Sequence, residues 1–268
     1  VPLPLQIVPT PIGNLEDITL RALRVLREAD LVACEDTRRT GRLLAHYDIK
    51  NKLVAYHEHN EERLAPELAE RAKEERIALV TDAGTPLVSD PGYRLIQVCI
   101  EAGVRVESLP GPSALTTALV VSGFPADKVV FLGFAPRKGR ERTELLERMN
   151  RESATFVLFE SPHRLAKTLT ELPNDTLVAV CRELTKLHEE VFRGTAAEAA
   201  EHFSGGVKGE IVLTVRGGTA VEEPSFEDVV ERAKRYVARG ESSSRAAARA
   251  ARESGMKKRD IYARLVGS

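Results

Sequence analysis

The chain has 268 residues, 39 Lys and Arg against 40 Asp and Glu, 43% hydrophobic and 29% charged residues, 18 Gly and 14 Pro. This composition excludes a disordered chain, a collagen-like repeat and a disulfide-built miniprotein. At roughly 100–200 residues per domain, the length predicts two domains.

In chain order, residues 5–8 read as a strand. Residues 17–29 read as a helix, because Ile18, Ala22, Val25, Leu26 and Ala29 share one stripe and Arg21, Arg24, Arg27 and Glu28 lie mostly outside it. Strand-like runs follow at 31–34, 53–56, 77–80 and 104–109. Between them fit a short helix, a charged helix over 61–75, and a helix over 91–102 with Pro91 at its start and Gly103 beyond its end. The run from Leu115 to Val121 is apolar but far shorter than the roughly 18 residues of a membrane span. Continuous apolar strands alternating with amphipathic helices predict an α/β domain whose mostly parallel sheet is covered on both faces.

A second alternating unit starts at Lys128. Its strands are expected at 129–132, 155–159, 177–181, 190–193 and 210–215, with helices at 140–151, 162–172 and 196–203. Only residues 184–189 separate two of these strands, so this sheet should be mixed. A linker over 217–225 leads to three helical stretches, 226–239, 244–253 and 257–266, broken at Gly240 and Gly255. The expected parts are therefore residues 1–117, 118–217 and 224–268.

Net charge is uneven. From Pro224 onward there are 11 basic and 6 acidic residues, while the rest of the chain is acidic. A basic tail on an acidic body points to an anionic partner. Within it Ala247, Ala250, Ala251, Ile261 and Leu265 can form a buried seam around the Gly255 turn, as in a helix-turn-helix. Arg245, Arg249, Arg252, Lys257, Lys258 and Arg259 would then face outward, to meet an anionic partner or simply to solvate a helical cap. Cys34, Cys99 and Cys181 are widely spaced beside apolar runs, which predicts buried free thiols and a reducing, cytoplasmic compartment. No N-terminal signal pattern is evident.

Five loops should leave the same edge of the first sheet: 9–14, 35–40, 57–60, 81–92 and 110–113. Ligands of open α/β folds bind at that edge. The familiar nucleotide templates are absent, with no GxGxxG after a strand and no GxxxxGK[ST]. No HExxH or paired Cys/His spacing calls for a metal, and Ser161-Pro-His163 lacks the GxSxG context of a hydrolase. What the loops offer is irregular backbone at Gly84, Pro86, Pro91, Gly92, Pro110, Gly111 and Pro112, whose free N–H and C=O groups can read an adenine edge and a ribose.

Ordered along the chain are Val8-Pro-Thr-Pro-Ile-Gly-Asn-Leu-Glu-Asp-Ile-Thr19, Glu35-Asp-Thr-Arg-Arg-Thr-Gly41, Asp82-Ala-Gly-Thr-Pro-Leu-Val-Ser-Asp-Pro-Gly-Tyr93 and Leu109-Pro-Gly-Pro-Ser113. Phe159-Glu-Ser-Pro-His-Arg-Leu165, Arg182-Glu-Leu-Thr-Lys186 and Lys208-Gly-Glu210 follow. On these segments the chain resembles the tetrapyrrole-methylase superfold and, within it, the ribosomal RNA small-subunit methyltransferase I family, which methylates a cytidine 2′-oxygen. Tetrapyrrole-modifying members usually carry GxGPGD in the first loop. This chain has Pro9-Thr-Pro-Ile-Gly-Asn14 instead, which shifts the expectation from a macrocycle to RNA.

The resemblance implies two α/β domains with S-adenosylmethionine (SAM) in the cleft between them, a homodimer, and small-subunit ribosomal RNA or the assembled small subunit as partner. Carried over by motif, the cofactor contacts are Ile12, Asp82, Ala83, Gly84, Val88, Ser113 and Ala114, with Glu160 and Leu184 from the second domain. No membrane or metal is implied.

A ribose hydroxyl is a weak acid, so a base or an alkoxide-favouring cation near it would accelerate transfer. Candidates are Lys186, Asp36, Arg38 and His57, with Glu35 and Glu183 behind them. A desolvated Lys186 beside Arg38 would have a lowered pKa and take the proton; the alternative is that Lys186 only contacts phosphate. Arg38 and Arg39 read as phosphate contacts, the alternative being a solvated helix start. Two other functions fit less well: a SAM-dependent methyltransferase of a tetrapyrrole or other small molecule, and a non-catalytic SAM-responsive nucleic-acid binder.

Overall fold

A computed structural model describes residues 3–218 and 226–266. The described residues form two compact units: one holds both sheets, and the other holds the three C-terminal helices together with Arg151–Ser153.

The first sheet comprises β1 (Leu5–Ile7), β2 (Leu31–Cys34), β3 (Leu53–Ala55), β4 (Ile77–Leu79) and β5 (Val106–Ser108). All are parallel, in the order β3-β2-β4-β1-β5. Helices α1 (Leu20–Glu28) and α2 (Thr37–His46) cover one face, where Ala22, Val25, Leu26 and Leu44 pack on Val8, Val32, Cys34 and Ala78. Helices α3 (Glu61–Arg71) and α4 (Tyr93–Glu101) cover the other, where Leu64, Leu68, Leu95 and Cys99 pack on Leu5, Leu31, Ala33 and Leu79. With both faces buried, the inner strands β2 and β4 are short and apolar throughout. The connections after β1 and β4 leave in opposite directions, so the crevice of the sheet lies between these two neighbouring strands.

Two boundaries move for local reasons. The first helix begins at Leu20, because Thr19 caps it by accepting the Ala22 N–H and Ile18 is extended. The fourth begins at Tyr93, because Gly92 (φ 134°) turns the chain; a β-carbon there would lie 2.8 Å from Leu79.

The apolar run near residue 117 is α5 (Ala114–Ser122), whose Leu115, Ala118 and Leu119 pack on the second sheet. That sheet contains β6 (Val129–Phe134), β7 (Thr155–Glu160), β8 (Leu177–Arg182), β9 (Glu190–Thr195) and β10 (Ile211–Arg216), in the order β6-β7-β10-β8-β9. Only β6 and β7 are parallel, so the sheet is mixed. Its other face is covered by α6 (Arg140–Arg151), α7 (Pro162–Glu171) and α8 (Ala196–His202), through Met149, Leu165, Leu169 and Ala199.

The C-terminal unit has α9 (Phe226–Ala238), α10 (Ser243–Ser254) and α11 (Lys258–Val266). Val229 and Ala233 complete a seam with Ala247, Ala250 and Ile261, while Ala251 and Leu265 are partly buried at its edge. Gly255 turns the chain at φ 72° between the last two helices. Arg249 stacks on Tyr236 and pairs with Glu241 and Glu253. Arg245, Arg252 and Lys257 are exposed and have no ion-pair partner among the described residues. The linker expected over 217–225 falls largely outside the described residues. No described helix is long and apolar enough to cross a membrane.

Candidate functional site

The loops after β1 and β4 join through a two-residue bridge at the sheet crevice. Thr10 N–H donates to Gly84 O and Gly84 N–H donates to Thr10 O, both at 2.9 Å. The Thr10 hydroxyl donates to Thr81 O, and the Thr85 hydroxyl to Pro112 O, tying in the loop after β5. The loop after β4 is held in unusual backbone, with positive φ at Gly84, Leu87, Ser89 and Gly92. Such strain is typical of sites whose geometry is fixed in advance.

Above this floor lies a cavity of about 340 Å³. Eight of the nine residues expected to contact the cofactor line it: Ile12, Ala83, Gly84, Val88, Ser113, Ala114, Glu160 and Leu184. Asp82 instead lines a neighbouring cavity of about 440 Å³. The two cavities share only Ile12, Ala83 and Glu210.

Their charges are opposite. The first is walled by small and apolar groups, and its only charged residues are Asp90, Glu160 and Glu210, with no Lys, Arg or His. Burial pushes the Asp90 carboxyl up to about 6, and the nearby charges of Glu35 and Asp82 push the same way. Glu160 is fully buried and spent on its own domain: Oε1 accepts the Ser161 N–H at 2.7 Å and pairs with Arg164 at 2.6 Å, and Oε2 accepts the Thr168 hydroxyl at 2.6 Å. The second cavity is lined by Arg39, Arg42, His46 and Lys186 against Asp82 and Glu210.

Of the four expected catalytic residues, only Lys186 lines either of these two cavities. His57 follows β3, the outer strand, two strands away from β4 and three from β1, and so displaced by roughly 10–14 Å. Asp36 caps α2 by accepting the Arg38 N–H and pairs with the Arg38 guanidinium at 3.1 Å, which holds its carboxyl below the usual range. Arg38 itself is 84% exposed and lines neither cavity. Arg39 turns inward instead and pairs with Asp82 at 3.3 Å.

The expected lowering of the Lys186 pKa is corrected. Burial does pull it down, but Nζ donates to Glu183 Oε1 at 2.8 Å and Glu210 Oε2 at 3.1 Å, and the net shift is upward. Arg38 is not the neighbour; two carboxylates are. The Lys186 loop is strained, with φ of 50° at Glu183 and 67° at Thr185, and it docks on the first loop, where Asn14 N–H donates to Thr185 Oγ1 at 3.1 Å.

The basic wall of the second cavity was present in the sequence as a pattern. Arg39, Arg42, Leu43 and His46 follow helical spacing, which places them on one face of α2. Glu210 had no such local signal, since it reaches the site from the start of a distant strand.

The three thiols are buried. Burial raises the Cys34 pKa and takes Cys99 to about 11 and Cys181 to about 12, so none is a poised nucleophile. Among the described residues no group of three His, Cys, Asp or Glu is placed to hold a metal.

The family model of Tetrapyrrole (Corrin/Porphyrin) Methylases matches residues 4–200. "Ribosomal RNA small subunit methyltransferase I" of Halalkalibacterium halodurans is 45% identical over 269 residues, covering 96% of this chain and 93% of the relative. The protein of the same name from Thermotoga maritima is 49% identical over 218 residues, covering 80% of this chain and 98% of the relative. A solved diphthine synthase superposes with a TM-score of 0.61 at 18% identity, covering 79% of this chain and 89% of that one, which shows a common fold.

Proposed function

This chain belongs to the ribosomal RNA small subunit methyltransferase I family, within the tetrapyrrole methylases, and from that premise we propose that it transfers a methyl group from SAM to the ribose 2′-oxygen of a cytidine in small-subunit ribosomal RNA. The observation that carries this reading is the pair of adjoining cavities of opposite charge. One, acidic and walled by small residues, suits a cation without phosphates. The other, basic, suits a polyanion.

SAM supplies a methyl group on a sulfonium cation. Ile12, Ala83, Gly84, Val88, Ser113, Ala114 and Leu184 would hold it, largely through small side chains and main-chain groups. Glu160 would take part through its backbone, because its carboxylate already has its partners. Asp82 stands at the junction side of the second cavity and orients Arg39. Holding donor and acceptor in adjoining cavities is itself a large part of catalysis, ~7–11 kcal/mol when reacting atoms are aligned. Arg39 and Arg42 contact backbone phosphates, which position RNA without reading its sequence. Lys186, kept cationic by its two carboxylates, favours negative charge on the acceptor oxygen.

The same reading takes residues 1–117 and 118–217 as the two walls of the SAM site and 224–268 as a further RNA contact. It also takes the protein as a cytoplasmic homodimer, which sedimentation analysis tests.

The deciding experiment offers labelled SAM in parallel to undermethylated small subunits, naked ribosomal RNA and a tetrapyrrole precursor. Label on a cytidine ribose of the small-subunit RNA is the expected result. Label in the macrocycle alone overturns the RNA assignment, and binding of both SAM and RNA without label in either overturns the enzyme.

A further inference from the structure

An acceptor oxygen entering from the basic cavity meets the methyl donor only where the two cavities join. Three residues line that junction, and Glu210 is the one among them with a titratable side chain. Its placement is built. The Glu210 N–H donates to Glu183 Oε1 at 2.9 Å, and Glu210 Oε2 accepts from Lys186 Nζ at 3.1 Å. This approach needs a glycine beside it, because a β-carbon on Gly209 (φ 97°) would lie 2.6 Å from Glu183 Oε1. The Glu210 side chain is 74% exposed, and its Oε1 accepts no hydrogen bond among the described residues.

We infer that Glu210, not Lys186, takes the proton from the acceptor hydroxyl, an assignment that rests on the methyl-transfer reading above. Lys186 cannot accept a proton while two carboxylates keep it charged. Glu183 lines neither cavity, and its Oε1 already takes both the Lys186 and Glu210 donors. In the step, the acceptor oxygen bonds to the methyl carbon as the carbon–sulfur bond breaks with its electron pair left on sulfur. The hydroxyl proton passes to Glu210 Oε1 and from there to water.

Charged groups facing Glu210 are Lys186 and Glu183 on the loop after β8, while Arg182 at the end of that strand pairs with Glu190. Across the second cavity stand Arg39, Arg42, His46 and Asp82. A general base acts only in its unprotonated form, so a rate that depends on one falls on an acidic limb of the pH profile.

Single-turnover rates with saturating SAM and undermethylated small subunits are compared across pH for the wild type, Glu210→Gln, Glu210→Asp and Lys186→Met, with SAM affinity measured by calorimetry in each. Glu210→Gln should bind SAM about as well as wild type, lose about 10²–10⁴-fold in rate, and lose the acidic limb. Glu210→Asp should recover part of the rate, and Lys186→Met should keep the limb. A near-wild-type rate in Glu210→Gln, or an acidic limb that survives in it, overturns the assignment. Loss of SAM binding in Glu210→Gln overturns it too, by making Glu210 a cofactor holder. Unlabelled RNA in the wild-type incubation sinks the RNA reading and this assignment together, whereas normal wild-type labelling beside an unaffected Glu210→Gln sinks this assignment alone.

Discussion

Gly13 stands directly against Lys186: a β-carbon on Gly13 would overlap Lys186 Cγ, and would lie 2.7 Å from Thr185 Oγ1 and 3.0 Å from the Leu184 carbonyl oxygen. The glycine thus lets the first loop seat the strained Lys186 loop. Gly13→Ala should displace that loop, destabilising the protein by about 1–3 kcal/mol and lowering turnover at least about tenfold. SAM affinity should change less than turnover. Urea unfolding and single-turnover rates check this, and a variant unchanged in both would mean that the contact is freely accommodated.

Gly84 adopts φ 87°, and a β-carbon there would lie 3.3 Å from Ile12 Cγ2. Gly84→Ala therefore combines backbone strain of about 1–2 kcal/mol with crowding on the cavity wall. Weaker SAM binding by calorimetry, with a lower melting temperature, is the expected outcome. A side chain as large as valine is a poorer test, because the strain at this bridge residue threatens the fold itself.

Asp90 carries its proton more tightly in the folded chain than in the unfolded one, chiefly through burial. Its folded pKa of about 6 lies above the ordinary value of 3.8, so its favourable contribution is present below pH 3.8 and is lost as pH rises through about 6. Asp90→Asn should consequently raise the melting temperature more at neutral pH than in mild acid. Equal shifts at both would show that the carboxyl is not desolvated.

Glu160 joins Arg164 and Thr168, and Thr168 Oγ1 accepts from Arg142, which pairs in turn with Glu171. Glu160→Ala would leave the partly buried Arg164 uncompensated. A loss of about 3–5 kcal/mol in denaturant unfolding is expected. A much smaller loss would mean that water replaces the carboxylate.

Truncation after Gly218 should leave a folded body that still binds SAM, because the helical unit has its own core in Val229, Ala233, Ala247, Ala250 and Ile261. RNA affinity should fall and its salt dependence flatten, by about 0.7–0.9 in the log–log slope per lost phosphate contact. Fluorescence anisotropy at several salt concentrations measures the slope, and an unchanged value would make the tail a structural cap.

The strands were readable as apolar runs, and the helices wherever one face was polar. Helix α5 was not, because its residues are apolar nearly all round and show no stripe. Strand order was not readable either. Nothing local to His57 says that β3 lies at the outside of the sheet, and nothing in Asp36-Thr-Arg-Arg39 says that Arg38 turns outward to Asp36 while Arg39 turns inward to Asp82. Lys186 was visible as a charged residue on a short loop. Its protonation depends on Glu183, three positions earlier, and also on Glu210, 24 positions further on, which only the pairing of β10 with β8 brings alongside.

The paired hydrogen bonds between Thr10 and Gly84 bear on how a ligand is met. Loops that order only on binding surrender roughly 1–2 kcal/mol of backbone entropy per residue. Here the two loops flooring the cavity are already latched to each other, so SAM finds an ordered surface and little affinity is lost to immobilising it. The Thr10 and Gly84 amides should therefore exchange with solvent deuterium as slowly as the neighbouring strands, whether or not SAM is present.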